Sequence, residues 1–421
     1  GQGITGKSVA QWCERHHITY SLCNPDDVNT ADIEHYSCVV VSPGIAHQHP
    51  LIQFILNSHI PLLTDFDLFS RYVRRPQQTL IGVTGTNGKS TTTALVHHVM
   101  HAFHKDTFMG GNIGTPVLDL PNRDHGIYVF ELSSYQLGYA AYSLNLKAAV
   151  LLNLTPDHLD RHGTMDEYLQ AKMKIFQGCD KGFICIDDSY TRKAYDMLND
   201  KQTIITLSCG DHALKAHYSI NQTGDVFIGT KKCGNFLSMP LKGAHNWQNM
   251  LVAFAMAHQA GYATDDILHH IGTFNGLPHR LENVATVNQV TFINDSKATN
   301  ADSTEKAILA FAGLNIYIIL GGSPKSEGIT PLIPHFPHLK KAYLIGDAAP
   351  DFADVLGTHG VPHTHSVTLD QAIQDAYHDA SHDTEDGIVL LSPACASFDQ
   401  FKNFEDRGNA FKALVLERIG K

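Results

Sequence analysis

Short apolar runs alternate with stretches of helical periodicity along almost the whole chain. The runs lie at 38–41, 79–83, 127–130 and 148–152. Four more lie at 290–293, 316–320, 342–345 and 388–391. Each is rich in Val, Ile, Leu or aromatic residues, and most are followed at once by Gly or polar residues. That pattern predicts strands buried on both faces of parallel sheets. Between them, 246–259 places Trp247, Met250, Leu251 and Phe254 at i, i+3, i+4 and i+7, with Gly261 where a helix stop belongs. Stretches 65–73 and 165–176 also read as helices. The alternation predicts an α/β protein. Turn-rich Arg74-Arg75-Pro76 and Gly276-Leu277-Pro278 suggest three domains, at 1–74, 75–276 and 277–421.

Length and composition narrow the field only a little. A chain of 421 residues fits about three domains at roughly 150 residues each. The net charge of −11 argues against nucleic acid as a bulk partner, because a phosphate backbone rewards clustered Lys and Arg. One nucleotide needs only a local site. The 8 cysteines are scattered without a CxxC pair, and the 27 histidines include no HExxH, so neither a disulfide framework nor a zinc site is expected. No apolar run reaches the roughly 18 residues of a membrane span, and no leader peptide is legible. A cytoplasmic, monomeric protein is the expectation.

One motif carries definite chemistry. TGTNGKST at 84–91 follows a predicted strand and precedes a helix-compatible stretch. Gly85 and Gly88 let the backbone curl so that N–H groups face phosphate oxygens, Lys89 can reach the β- and γ-phosphates, and Ser90 can hold Mg²⁺. The general P-loop would have Gly where Val83 stands. A Gly-rich turn with a chance lysine is the bland alternative. The chain also opens on GQGITG, a GxGxxG pattern without its strand. That strand would lie before residue 1, which suggests a natural protein that starts earlier.

The shortened phosphate loop resembles that of the Mur ligase and folylpolyglutamate synthase superfamily. Further motifs of that family follow in order: GGNIGTP from Gly110, ELSSYQL from Glu131, LTPDHLDRHG from Leu154 and GAHNWQN from Gly243. The resemblance implies a Rossmann-like N-terminal domain that binds a UDP-substrate, a central P-loop ATPase domain with a parallel sheet, and a Rossmann-like C-terminal domain. In the last third, GLPHRLE from Gly276, NDSKATNADS from Asn294 and SPACASFDQFKNFEDRG from Ser392 resemble the branch that adds D-glutamate to UDP-N-acetylmuramoyl-L-alanine.

Site residues follow from position and from that resemblance. Glu131 and His158 stand at or just beyond strand ends, where a carboxylate and an imidazole can serve a metal. Lys172 by itself reads as a surface lysine; the resemblance makes it carbamylated, an oxygen ligand beside Glu131, His158 and Ser90 for two Mg²⁺ ions. It also implies an ATP site of Gly85, Thr86, Asn87, Gly88, Lys89, Ser90, Thr91, Asn246, Asn249, Arg280 and Asp295. Lys89, His158, Lys172 and Lys297 would carry catalysis. The muramoyl substrate would meet Ile4, Thr5, Ser42, Gly44, Asn112 and Ser133, and D-glutamate would meet Thr299, Lys325, Ser397, Phe398 and Phe404. Departures from the family pattern fall at Cys23 to Pro25 and at Ser323, where an acid is usual. The implied chemistry is an ATP-dependent amide ligation through an acyl phosphate, with the C-terminal pocket closing to exclude water. Another amino-acid ligase of the superfamily, a nicotinamide oxidoreductase suggested by 1–6, and a non-catalytic nucleotide-binding protein are the alternatives.

Overall fold

The structure is a computed structural model that describes residues 2–140, 142–210, 216–241, 244–324 and 328–419, without the side chains of 31, 160, 244, 245, 418 and 419. The chain divides into two compact units, Gly1–Phe274 and Asn275–Lys421.

The first unit begins with helix Ile4–Arg15 and a two-stranded parallel sheet, β1 (Val39–Val40) with β2 (Leu62–Leu63). Its larger sheet has nine strands: β3 (Thr79–Thr84), β4 (Thr107–Gly111), β5 (Ile127–Glu131), β6 (Ala148–Leu151), β7 (Lys181–Cys185), β8 (Ile204–Ser208), β9 (Tyr218–Ile220), β10 (Asp225–Ile228) and β11 (Lys231–Asn235). Their order is β11-β10-β9-β8-β7-β6-β3-β5-β4. Strands β3 to β9 pair in parallel and β10 and β11 antiparallel. The chain leaves β3 for β4 on one side and, after β5, crosses to β6 on the other. That reversal makes the carboxyl end of β3 a topological switch point, where ligands bind in open α/β sheets.

The N-terminal segment is tied to this sheet by aromatic packing. Trp12, Leu63, Phe66 and Phe69 share one buried cluster with Leu80, Tyr128 and Phe130. Phe66 and Phe69 meet Phe130 edge-on, with ring centroids 5.3 and 5.6 Å apart. Each such buried ring is worth about 1.5–3 kcal/mol relative to exposure.

The second unit holds a six-stranded sheet: β12 (Glu282–Val287), β13 (Val290–Asn294), β14 (Asn315–Gly321), β15 (Leu339–Ile345), β16 (His363–Val367) and β17 (Gly387–Leu391). The order is β12-β13-β17-β14-β15-β16, parallel except for β12. Alternate residues feed opposite faces. Ile316, Ile318 and Leu320 pack in one core with Leu344 and Leu390. Tyr317 and Ile319 pack in the other with Phe292, Val389 and Phe411. Both faces are covered, which is why these strands read as unbroken apolar runs.

All eight apolar runs are strands, within one residue of the expected bounds except that β15 starts three residues earlier, and Gly261 adopts φ +96° just after helix Ala244–Gln259. Several of the strands that the pattern did not reveal are polar or glycine-rich: β11 reads KKCGN, β16 reads HTHSV and β4 reads TFMGG, whereas β2, which reads LL, and β8, which reads IITLS, are apolar strands outside the eight runs.

Candidate functional site

At the switch point the phosphate loop leaves β3 and enters the 15-residue helix Lys89–Phe103. Gly88 takes φ +80°, and a Cβ there would come within 2.5 Å of Asn249 Oδ1. Gly85 is crowded by Leu152, 2.9 Å from where a Cβ would stand. Both glycines are therefore required by conformation or by space. Asn153, just past β6, fastens the loop from the side. Its carbonyl accepts from Thr86 N at 2.9 Å, its Oδ1 accepts from Asn87 N at 2.8 Å, and its Nδ2 donates to Asn87 O at 3.2 Å. Thr86 Oγ1 adds a bond to Thr155 O at 3.2 Å. The Lys89 ammonium folds back to donate to Thr86 O at 2.7 Å. Ser90 is half-buried and Thr91 buried on the first turn of the helix.

Asn246 and Asn249 are buried under this loop. Asn249 Oδ1 accepts from Thr92 Oγ1 and its Nδ2 donates to Asn246 Oδ1, both at 2.9 Å. That spends the Asn249 amide on holding the helix start, a buttress beneath the loop.

Strand β5 pairs Glu131 with Val83, directly beside the loop's origin. Glu131 is 2% exposed. Its Oε1 accepts from Asn112 Nδ2 at 2.7 Å, and Asn112 N also donates to Glu131 O at 2.9 Å. The other oxygen, Oε2, is buried with no hydrogen-bond partner. A buried carboxylate oxygen left bare costs desolvation that only a cation or a donor repays. Glu131 thus fits a divalent ion. Among the described residues no three His, Cys, Asp or Glu side chains converge as a ligand set, so most of the remaining ligands would have to be hydroxyl, carbamate or phosphate oxygens, which suit Mg²⁺.

Lys172 is 1% exposed on helix Met165–Met173. Its Nζ donates to Gly85 O at 2.7 Å and lies 4.6 Å from the Tyr168 ring centroid. Burial, and then the charge of Lys89, hold its pKa well below the ordinary lysine value. The helix is anchored by a capping box in which Thr164 and Glu167 satisfy each other's backbone N–H groups. Tyr168 OH reaches Thr86 Oγ1 at 3.3 Å, and burial pushes this phenol up to about 12.

His158 is exposed and adopts φ +53°, unusual for a residue with a Cβ. Its Nε2 lies 3.3 Å from Asp157 Oδ2 and its ring 5.0 Å from Tyr135. Ser133 caps helix Ser134–Tyr139 in a capping box with Gln136. Ile4 is 77% exposed and Thr5 half-buried at the start of helix Ile4–Arg15. Ser42 and Gly44 lie in the loop after β1, and Gly44 faces open space.

In the second unit the expected residues gather at the carboxyl ends of β13 and β17. Asp295 is buried, accepting from Ser392 Oγ at 2.8 Å and from Leu281 N at 3.2 Å. Burial raises its carboxyl to about 7, against the opposing pull of those two bonds and of Arg280. Arg280 is exposed. Lys297 Nζ lies 5.7 Å from the Phe404 ring centroid. Thr299 is half-buried, Ser397 buried and Phe398 73% exposed. Lys325 lies outside the described residues. Ser323, where the family usually has an acid, is joined by one from elsewhere: Asp399 N donates to Ser323 Oγ at 3.0 Å, and Asp399 Oδ2 accepts from Asp347 N at 3.2 Å.

Comparison with known proteins bears on this arrangement. The Mur ligase middle domain matches residues 83–257, and the Mur ligase glutamate ligase domain matches 279–395. The chain belongs to the Mur ligase family. It is 41% identical over 410 residues to UDP-N-acetylmuramoylalanine--D-glutamate ligase of Phenylobacterium zucineum (strain HLK1), covering 92% of this chain and 86% of that one. It is 43% identical over 399 residues to the enzyme so named from Mesorhizobium japonicum, covering 92% and 84%. Among solved structures, MurF from Acinetobacter baumannii aligns with TM-score 0.64 at 16% identity, covering 97% of this chain and 98% of that one. MurC from Thermotoga maritima aligns with TM-score 0.62 at 19% identity, covering 95% and 89%. These two show a shared fold.

Several side chains of this Mur ligase escaped the reading of the sequence. Asn153 had no signal beyond its place after a strand. Arg161 stood inside the DHLDRHG segment without a role. Arg407, in NFEDRG, is 1% exposed and donates to Ser296 Oγ, Ser296 O and Cys395 O at 2.9–3.0 Å. It thereby ties together the two segments that hold Lys297 and Ser397.

Proposed function

We propose that this Mur ligase joins D-glutamate to UDP-N-acetylmuramoyl-L-alanine, giving UDP-N-acetylmuramoyl-L-alanyl-D-glutamate, ADP and phosphate, a step of peptidoglycan synthesis. The observation that carries the choice is identity of 41–43% to D-glutamate ligases over more than nine-tenths of the chain. Residues 1–74 serve the UDP-substrate, 75–276 the ATP and 277–421 the incoming amino acid.

A carboxylate and an amine do not condense at neutral pH, because oxide is a poor leaving group. The L-alanyl carboxylate therefore attacks the γ-phosphorus of ATP, and the bond to the β,γ-bridging oxygen breaks, leaving ADP and an acyl phosphate. The phosphate loop binds the nucleotide through its backbone N–H groups and the helix start. Lys89 exchanges the Thr86 carbonyl for phosphate oxygens and offsets the charge that develops in transfer. Asn246 and Asn249 support that loop, and Arg280 and Asp295 are the second unit's proposed contacts of the nucleotide. The amine of D-glutamate then attacks the acyl carbon, loses a proton, and phosphate leaves. Thr299, Lys325, Ser397, Phe398 and Phe404 form the pocket for D-glutamate, and Lys297 stabilises the charge on the departing phosphate.

Magnesium bound here would supply Lewis-acid stabilisation of phosphoryl and acyl oxygens. Glu131 with its bare Oε2, the Ser90 hydroxyl, His158 and a carbamate on Lys172 are the proposed ligands of two ions. The carbamate reading is supported by the burial of Lys172 and its depressed pKa. Only a neutral amine adds to carbon dioxide, forming an N–C bond and releasing one proton.

The test is phosphate release with ATP, UDP-N-acetylmuramoyl-L-alanine and a panel of amine acceptors. D-glutamate alone should support turnover, since a pocket of hydrogen-bond donors rejects acceptors that leave them unpaired. Equal rates with D-glutamate, L-glutamate, diaminopimelate and D-alanyl-D-alanine, or no release with any of the four, would overturn the assignment.

A further inference from the structure

The DHLDRHG segment contains one cation that the proposed chemistry does not use. Arg161 lies in the short helix Leu159–His162, three residues after His158. Its guanidinium points back to the loop that follows β1. Nη1 donates to Gly44 O at 2.9 Å, and Nη2 donates to Pro43 O at 2.8 Å and to Ile45 O at 2.5 Å. Three consecutive carbonyls thus converge on one planar fork. Tyr139 OH adds a second donor to Ile45 O at 2.8 Å. The fork also stacks over Tyr135, with Cζ 4.3 Å from the ring centroid. Tyr135 in turn lies 5.0 Å from the His158 ring.

This geometry does more than hold a surface loop. Each peptide unit is planar, so turning the carbonyls of 43, 44 and 45 toward Arg161 aims the following N–H groups to the opposite side. The loop holds Ser42 and Gly44, the proposed contacts of the muramoyl substrate. The flat face of the same guanidinium stacks on Tyr135, which borders His158. No carboxylate is paired with Arg161 in any ion pair found among the described residues. Its charge is spent on carbonyl dipoles, which suits a clamp that sets orientation. Lysine would be a poor replacement, because a point charge lacks the fixed fork and the flat face that stacks on Tyr135.

We infer that Arg161 is a positioning residue for the UDP-muramoyl substrate. It holds the 43–45 loop in register with the Tyr135–His158 pair, so that substrate bound by the loop presents its carboxylate at the phosphoryl-transfer site. The inference rests on the ligase reading above.

The experiment is steady-state kinetics of the full chain, with KM measured separately for each substrate, on Arg161→Ala, Arg161→Lys, Tyr135→Leu and the Arg161→Ala/Tyr135→Leu double variant. Arg161→Ala should raise KM for UDP-N-acetylmuramoyl-L-alanine by about tenfold or more and lower kcat, with KM for ATP and D-glutamate changed less than about twofold. Arg161→Lys, which keeps the charge and folds if the alanine variant does not, should recover less than half of that loss. The double variant should be no worse than Arg161→Ala, as expected for residues acting in one chain of contacts. Equal effects on all three KM values, full recovery with lysine, or additive losses would overturn the inference. Wild-type enzyme that shows no D-glutamate-dependent release at all would instead overturn the ligase reading, so the two failures are distinct.

Discussion

Lys172 and Asp295 are both buried ionisable groups whose charged forms the fold disfavours, and each yields a prediction. For Lys172, the folded protein holds a neutral amine at pH values where an exposed lysine is protonated. Carbamylation should then be available near neutrality. Activity in rigorously carbon-dioxide-free buffer should fall by at least about tenfold, as expected for loss of a metal ligand, and return on adding bicarbonate. Unchanged activity in that buffer would argue against the carbamate. For Asp295, the folded carboxyl titrates at about 7 against an ordinary value of 3.8. A group whose pKa is raised by folding contributes stability below its unfolded pKa, and that contribution is lost as pH rises through the folded one. The ligand-free protein should therefore lose stability through Asp295 as pH rises from about 4 to about 7. The loss should reach a few kcal/mol, because each tenfold difference in proton affinity between the folded and unfolded chain is worth about 1.4 kcal/mol. Asp295→Asn should flatten that part of the profile in urea melts, and an unchanged slope would refute this account.

At the scale of elements, helices are placed by their caps, and the caps lie beside the site. Helix Met165–Met173 starts on the Thr164–Glu167 capping box and holds Tyr168 and Lys172 against the phosphate loop. Thr164→Ala should cost about 1 kcal/mol of stability. It should also weaken ATP-dependent turnover, because the helix start sets the depth at which Lys172 enters the core. Loss of stability with unaltered kinetics would show that the cap is remote from function. Helix Phe404–Leu414 presents a tighter constraint. A Cβ on Gly408 would stand 2.1 Å from His279 Nδ1. His279 is buried at φ +62° and bonded to Asn294 Nδ2 at 3.0 Å. Gly408→Ala should therefore destabilise the second unit by more than the roughly 1–3 kcal/mol usual for an overpacked core, as read by its urea midpoint. A midpoint within experimental error of wild type would contradict that steric account.

At the scale of the whole molecule, the two compact units each have a sheet and a core of their own. Residues 273 to 280 join them without a helix or strand, and Asn275, Pro278 and Arg280 are exposed there. Exposed joints between cores are where proteases cut first. Limited proteolysis of the intact chain should give stable fragments divided near Phe274, identifiable by mass. First cuts within either large sheet would contradict that division.

What was legible in the sequence was whatever local spacing controls. Seven of the eight apolar runs became mostly buried strands, and a strand buried on both faces must be apolar throughout; the eighth, β1, is half-buried. The phosphate loop was recognisable because its glycines, lysine and hydroxyl act within a few residues of one another. Glu131 could be placed at a strand end by counting from the apolar run. Tertiary structure alone decided the rest. Edge strands β11 and β16 are polar because solvent or a neighbour, not their own side chains, satisfies their exposed faces. Lys172 read as a surface lysine, since nothing nearby in sequence reveals that Gly85 O, 87 residues away, will accept a hydrogen bond from its Nζ in the core. Arg161 and Asn153 draw their roles from partners 116 and 66 residues distant. Contacts at such separations exist only once the sheet order β6-β3-β5 has brought three strand ends together, and no local pattern encodes that order.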